Sequence, residues 1–230
     1  ASELRAMGVD ISFAPVVDID RGLAKVIGDR ALHREAEVVS KLALRIAAGM
    51  QRAGMCVVAK HFPSHAGVAV DSHEQLPIDH RPLDGLSDDL APYQHLIKAG
   101  IEGVMLGHVQ FPEVDALPAS CSSYWIKEHL KTQMGFGGVV ISDDIAMAGA
   151  AGSGSFGQRA EAVLNAGSDM VLLCNSPEEI SGVIDYLVDY KGDCEIMASL
   201  RGRDCSSWSA LRTSDFWREA DKRISILKNE

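Results

Sequence analysis

The feature that most constrains this chain is a repeated alternation: a short apolar run rich in β-branched residues, then a segment of helical period, joined by a glycine turn. ISFAPVVDI from Ile11, CVVAKH from Cys56, GVMLGHV from Gly103, GVVISDD from Gly138 and DMVLLCN from Asp169 read as strands. Helical segments follow: ALHREAEVVSKLALRIAAGMQRAG, then Leu90 to Ala99, Tyr124 to Met134, Phe156 to Ala166, Pro177 to Val188 and a last one from Ser214 to Leu227. In the first of these, Val38, Leu42, Ile46 and neighbouring alanines recur at three- and four-residue spacing, an apolar stripe that predicts the core-facing side. The turns RAGMCVV, KAGIEGVM, MGFGGVV and NAGSDMV share one pattern, in which a glycine ends the helix and releases the chain into the next strand. Strands and helices in this order predict an α/β fold, a parallel sheet covered by helices in about five βα units.

The length of 230 residues suits one well-filled core, so residues 1–230 are expected to form a single domain. CEIMASLRGRDCSSWSALRTSD, polar and irregular, reads as a surface excursion before the last helix and not as a domain boundary. A net charge of -10 and a pI near 5.2 argue against nucleic acid or an anionic membrane as partner. No apolar run approaches the ~20 residues that span a bilayer, and ASELRAMG lacks the basic-then-apolar pattern of a signal peptide, which predicts a cytoplasmic protein. Cys56, Cys121, Cys174, Cys194 and Cys205 are scattered, with no C-x-x-C pair, and read as reduced thiols. Cys56 and Cys174 lie in apolar runs, where cysteine behaves as a small buried hydrophobe.

In parallel α/β sheets reactive groups gather where strands end. The polar residues of this chain follow that rule. Strand one ends in Asp18 and Asp20, strand two in Lys60 and His61, strand three in His108, strand four in Ser142, Asp143 and Asp144, and strand five in Asn175. Each has a plain alternative: Asp143 or Asp144 can cap the next helix, and His61 and His65 can simply pack and hydrogen-bond within a loop. Asp71 and His73, two residues apart in HFPSHAGVAVDSH, read either as an Asx turn followed by histidine or as a pair in which the carboxylate fixes the imidazole tautomer for proton transfer. Held together, His61, His65, Asp71, His73 and Asp143 also form a candidate metal-ligand set, although no H-E-x-x-H or comparable spacing supports a metal-dependent hydrolase.

KHFPSHAGVAVDSH beside GVVISDDIAMAGA, with VIGDRAL upstream and VMLGHVQFPEVD between, resembles the family 3 glycoside hydrolases, and within them the bacterial β-N-acetylglucosaminidases of peptidoglycan recycling. The resemblance covers nearly all of residues 4 to 190. It implies an eight-stranded (β/α) TIM barrel, here N-terminally incomplete by roughly a third, so that a separate chain carrying the missing segment is one way to complete it. It implies a retaining hydrolase that removes terminal β-linked N-acetylglucosamine from muropeptides or other small glycosides, with no metal and no organic cofactor. The nucleophile would be Asp143, and the acid/base would be His73 paired with Asp71. Arg30, Lys60 and His61 would bind the sugar. An inert or sugar-binding barrel fragment is the non-enzymatic alternative. The family loop reads HFPGHG, and Ser64 and Ala66 stand where it has glycines, so any positive φ at these two positions would strain the loop.

Overall fold

The computed structural model describes residues 1–192 and 195–227, so Cys194 lies outside the described residues. The chain runs through α1 (Ser2–Ala6), β1 (Ile11–Ser12), α2 (Ala36–Arg52), β2 (Cys56–Phe62), α3 (Ser87–Lys98) and β3 (Gly103–Leu106). A small antiparallel hairpin follows, β4 (Gln110–Phe111) and β5 (Asp115–Pro118), and then a π-helical segment, Tyr124–Gln133. The remainder is β6 (Val139–Asp144), α4 (Phe156–Ala166), β7 (Met170–Leu172), α5 (Ile180–Tyr186), α6 (Trp208–Thr213) and α7 (Asp215–Leu227). All five expected strands pair in parallel in the order β1-β2-β3-β6-β7. The hairpin had no signal in the sequence reading: its strands are two and four residues long, too short for a period to show.

Alternation along the strands divides the core. Val57, Ala59, Val104, Leu106 and Val140 pack with Val39, Ala43 and Ala47 of α2 and Leu90 and Leu96 of α3. Cys56, Val58, Met105, Val139 and Ile141 point the other way and pack on Leu200, Ile196 and Met197. Burial on both faces is why these strands read as continuous apolar runs, and each large side chain so buried contributes roughly 1.5–3 kcal/mol. The expectation of a surface excursion is therefore corrected. The stretch around Leu200 covers the concave face of the sheet, Arg203 N donates to Gly54 O at 2.8 Å, and Arg5 Nη2 donates to Arg203 O at 2.6 Å. An apolar sheet face needs a cover, and three apolar residues in a polar stretch supply it.

Four further details of the sequence reading meet the structure. The glycine turns behave as expected: Gly54 and Gly100 leave their helices at φ of +79° and +78°. Helix α4 has the predicted bounds because Ser155 and Gln158 form a capping box, Gln158 N donating to Ser155 Oγ and Ser155 N donating to Gln158 Oε1. The stripe on α2 is corrected: Val39, Ala43, Ala47 and Met50 are buried, whereas Leu42 and Ile46 are 42% and 37% exposed. Small residues on the inner side let α2 approach the sheet and α3 closely, and the larger residues are left on the flank. Cys174 is exposed, not buried, because β7 is an edge strand, while Cys56 is buried as expected.

Candidate active site

Within the described parallel sheet, strand pairing slips at two places, and both are at the carboxyl end. Lys60 pairs with Met105 and Phe62 with Leu106, so His61 is an extra residue on β2. Between β6 and β7, Ile141 pairs with Met170 and Asp144 with Leu172, so one residue is extra on β6. In a regular strand Lys60 and His61 would point to opposite faces; a bulge re-aims side chains locally, and here both line one cleft. At the second slip Leu172 N donates to Ser142 Oγ at 3.1 Å, which satisfies an amide lying inside the slipped pairing. Behind the first, Phe62 is fully buried against Tyr93 and Trp125, with ring centroids 5.1 and 6.0 Å away, and anchors the end of β2.

The cleft, about 90 Å³, is lined by Arg30, Lys60, His61, His65, Ser72, His73 and Asp143, with Val26, Ile27 and Met147 as its apolar part. A larger cavity of about 460 Å³, lined among others by Arg52, Asp204, Cys205 and Phe216, lies at the other end of the sheet, where α2 leads into β2. Chemistry and not volume identifies the candidate site, since titratable groups converge in the smaller one. Every sugar-binding and catalytic candidate from the sequence except Asp71 lines it, and Asp71 stands directly behind His73.

Asp143 and Asp144 occupy different environments. Asp144 is buried and fully engaged: Oδ1 accepts from Ala146 N at 2.9 Å and Cys174 N at 3.1 Å, and Oδ2 accepts from Asn175 Nδ2 at 3.0 Å. Asp143 accepts from Asp144 N through Oδ1, while Oδ2 faces His61 Nε2 at 4.0 Å and its side chain is 19% exposed. Burial alone would raise the Asp143 carboxyl, but His61 and His108, the Asp144 amide and Lys60 outweigh it and keep the group below the usual carboxylate value. Asp143 is thus an ionised carboxylate with an oxygen turned to the cleft. Burial pulls the Lys60 ammonium below its ordinary value, against the attraction of Asp143.

Asp18, which the sequence placed at a strand end without a role, organises the floor. Its carboxylate accepts from His61 Nδ1 at 2.7 Å, from His61 N at 3.2 Å and from His65 N at 2.7 Å. That fixes the His61 ring with Nε2 toward Asp143. His108 is fully buried; its Nε2–H donates to Asp144 O at 3.1 Å, so Nδ1 accepts from the Ser120 hydroxyl at 2.7 Å. Burial keeps it neutral, and its part is to hold the β6 end in place. Asp20 accepts from Arg34 Nε and Gly22 N and secures the loop leading to Arg30.

Asp71 and His73 form both arrangements the sequence left open. Asp71 Oδ1 accepts from His73 N at 2.9 Å, an Asx turn, and from His73 Nδ1 at 2.7 Å. With Nδ1–H on Asp71, Nε2 is the free ring nitrogen. The side chains are 35% and 56% exposed, and the Asp71 carboxyl is lowered because the His73 amide and ring outweigh its burial. Ser64 and Ala66 cause no backbone strain, since neither has positive φ. Ser64 Oγ instead donates to Asp89 Oδ1 at 2.6 Å and accepts from Ala66 N at 3.0 Å, contacts a glycine cannot make. Among the described residues no group of three or more His, Cys, Asp or Glu side chains is arranged to hold a metal ion.

Residues 1–200 match the model of the glycosyl hydrolase family 3 N-terminal domain. The chain belongs to glycosyl hydrolase family 3. A family 3 relative from Thioalkalivibrio sulfidiphilus, named beta-hexosaminidase, is 47% identical over 229 residues, covering 99% of this chain and 66% of that protein. Another, the beta-hexosaminidase of Methylococcus capsulatus, is 46% identical and covers 97% of this chain and 68% of its own length. The chain therefore spans about two thirds of the length of these curated relatives. Among solved structures, NagZ from Neisseria gonorrhoeae in complex with N-trifluoroacetyl-D-glucosamine superimposes with a TM-score of 0.87 at 38% identity, covering 98% of this chain and 66% of that one. The family 3 β-N-acetylglucosaminidase of Paenibacillus sp. superimposes with a TM-score of 0.83 at 30% identity, over 97% of this chain and 47% of that one. The parallel sheet and its helices are an incomplete (β/α) barrel of the family 3 type.

Proposed function

We propose that this chain carries the catalytic half-site of a retaining β-N-acetylhexosaminidase. The observation that carries the reading is the convergence of Asp143, His73, Lys60, His61 and Arg30 on one cleft at the carboxyl end of a family 3 barrel. In the first step an Asp143 carboxylate oxygen bonds to C1 of a terminal N-acetylglucosamine as the C1–O bond to the leaving group breaks, and His73, carrying a proton on each ring nitrogen, gives the Nε2 proton to the departing oxygen and keeps Nδ1–H on Asp71. In the second, water adds to C1 and gives a proton to His73, while the Asp143–C1 bond breaks and the carboxylate is regenerated. Asp71 holds His73 in the tautomer that turns Nε2 outward. Lys60, His61 and Arg30 bind the ring hydroxyls and the acetamido group.

The physical fit supports these roles. A nucleophilic carboxylate must be ionised and fixed, and Asp143 is both, at the end of a strand and below the usual carboxylate range. An acid/base group must cycle its proton near neutral pH, which an imidazole does with little perturbation. The names of the relatives favour an amino-sugar glycoside as substrate. From the resemblance, the natural substrates are N-acetylglucosaminyl muropeptides of peptidoglycan recycling, and the sequence reading makes the location the cytoplasm. Among the described residues no helix is long and apolar enough to cross a membrane. Residues 1–230 are read as one glycosidase domain, since the segment after Glu195 covers β2 and contacts α1.

The test uses p-nitrophenyl N-acetylglucosaminide and a fluorinated analogue that forms the covalent intermediate faster than it is hydrolysed. Asp143→Ala is expected to abolish turnover, and mass spectrometry of trapped wild-type chain to find the sugar on the peptide containing Asp143. His73→Ala is expected to lower rates about 10²–10⁴-fold with poor leaving groups and much less with activated ones. Unchanged turnover in Asp143→Ala removes the nucleophile assignment.

A further inference from the structure

Between the two residues of the acid/base pair lies a buried one. Ser72 is buried in the wall of the cleft, while the side chains of Asp71 and His73 on either side are partly exposed. Its hydroxyl oxygen lies 3.0 Å from His65 Nε2, and its carbonyl accepts from Gly149 N at 2.9 Å. These two partners lie in the segments that follow the two strands that build the site. His65 follows β2, and its amide donates to Asp18, the carboxylate that also holds His61. Gly149 lies just beyond Asp143 and packs so closely that a Cβ there would come within 2.9 Å of His108 Cβ and 3.3 Å of Ser72 O.

We propose that Ser72 is the positioning residue that seats the acid/base pair, fastening its loop at the midpoint to the β2 side through the hydroxyl and to the β6 side through the carbonyl. The inference rests on the glycosidase reading above and adds to it a cause for the geometry of His73. Asp71 to Gln75 form a tight turn, with the Glu74 and Gln75 amides both donating to Asp71 O, and a buried anchor at Ser72 holds that turn with Asp71 and His73 exposed on either side. Without the anchor an Asx turn would still join Asp71 to His73, but nothing would fix that turn over Asp143. The chemistry of His65 agrees. Burial lowers its pKa, so the ring is neutral at pH 7 and carries one proton. Nδ1 is buried with no partner, and a proton on Nε2 leaves a lone pair at that position, which costs less than an orphaned N–H. The assigned tautomer therefore donates from His65 Nε2 to Ser72 Oγ.

The proposal is tested with Ser72→Ala and Ser72→Thr in the full chain, by kinetics and by amide hydrogen exchange. For Ser72→Ala, kcat/KM is expected to fall about tenfold or more with an alkyl or disaccharide leaving group, and by less than about twofold with a dinitrophenyl one, because only poor leaving groups need the proton. Ser72→Thr keeps the hydroxyl and is expected to restore the poor-leaving-group rate. Exchange at Gly149 and at Glu74 and Gln75, whose amides donate within this loop, is expected to quicken in Ser72→Ala and to stay slow in Ser72→Thr. Equal losses with both leaving groups, or unchanged exchange at these amides, overturn the proposal. A wild-type chain that turns over neither glycoside refutes the glycosidase reading instead, and the exchange measurement still decides whether Ser72 fastens the loop.

Discussion

Asp143 and Asp144 are chemically identical in the sequence and differ in what they touch. Asp144 accepts three hydrogen bonds from the loops beyond β6 and β7, so Asp144→Ala is expected to destabilise the fold by about 1–3 kcal/mol, because three part-buried hydrogen bonds lose their shared acceptor. Asp143→Asn keeps shape and is expected to leave the melting temperature nearly unchanged while removing activity. Thermal melts of the two variants check this, and equal destabilisation would contradict the division of labour. The sequence identified both as strand-end residues, and the resemblance favoured Asp143. What it could not provide was the engagement of Asp144, which depends on Cys174 and Asn175, some thirty residues away. Asp18 and Ser72 escaped as functional residues for the same reason: their partners are distant in the chain or lie on the opposite side of a loop.

At the scale of elements, the loop after β2 shows how context decides the sign of a substitution. Sequence comparison with the family loop makes Ser64 look like a strained replacement for glycine, and removal of strain would make Ser64→Gly stabilising. The structure gives the opposite sign. The residue does not have positive φ, its hydroxyl bridges Asp89 and Ala66 N, and glycine adds backbone entropy to the unfolded chain. Ser64→Gly is expected to lose about 1–3 kcal/mol, read from the urea midpoint, since Asp89 and the Ala66 amide lose a partner. An increase in midpoint would restore the strain argument. Asp89 also accepts from Arg21 and Arg81, so this one serine ties the loop after β2 to a partly buried ion network at the start of α3. The helix and strand positions were legible beforehand because each is a local period; the bulges at the ends of β2 and β6 were not, because a slip is a property of two strands together.

For the whole molecule, buried ionisable groups set the response to acid. His65 and His108 are lowered by burial, so below about pH 6.5 the unfolded chain binds protons there that the folded chain refuses, and stability falls as pH falls. Each contributes up to about 1.4 kcal/mol per pH unit in that window. Asp18 acts lower. Burial raises its carboxyl, but His61 and His65 outweigh that and lower it, so its stabilisation is present above the unfolded value of 3.8 and is lost as pH drops through the folded one. Melting temperature is expected to decline from pH 7 to 5 and again below pH 4, and His108→Gln to flatten the first decline. A melting temperature constant from pH 7 to 5 would contradict this account. The open edges of the sheet, β1 and β7, are only two and three residues long, which limits the unpaired backbone they present.

The sequence by itself determined five parallel strands, the helices between them, the glycine turns and the gathering of reactive residues at strand ends, because each is carried by local periodicity and local conformational preference. Only the tertiary structure decided that Lys60 and His61 share a cleft, that Asp143 and not Asp144 keeps an oxygen free, that the stretch around Leu200 covers the sheet, and that α2 buries Ala43 and Ala47 while Leu42 and Ile46 stay exposed. Those outcomes depend on register, burial and hydrogen-bond partners between segments far apart in the chain, and such relations exist only once the strands have paired.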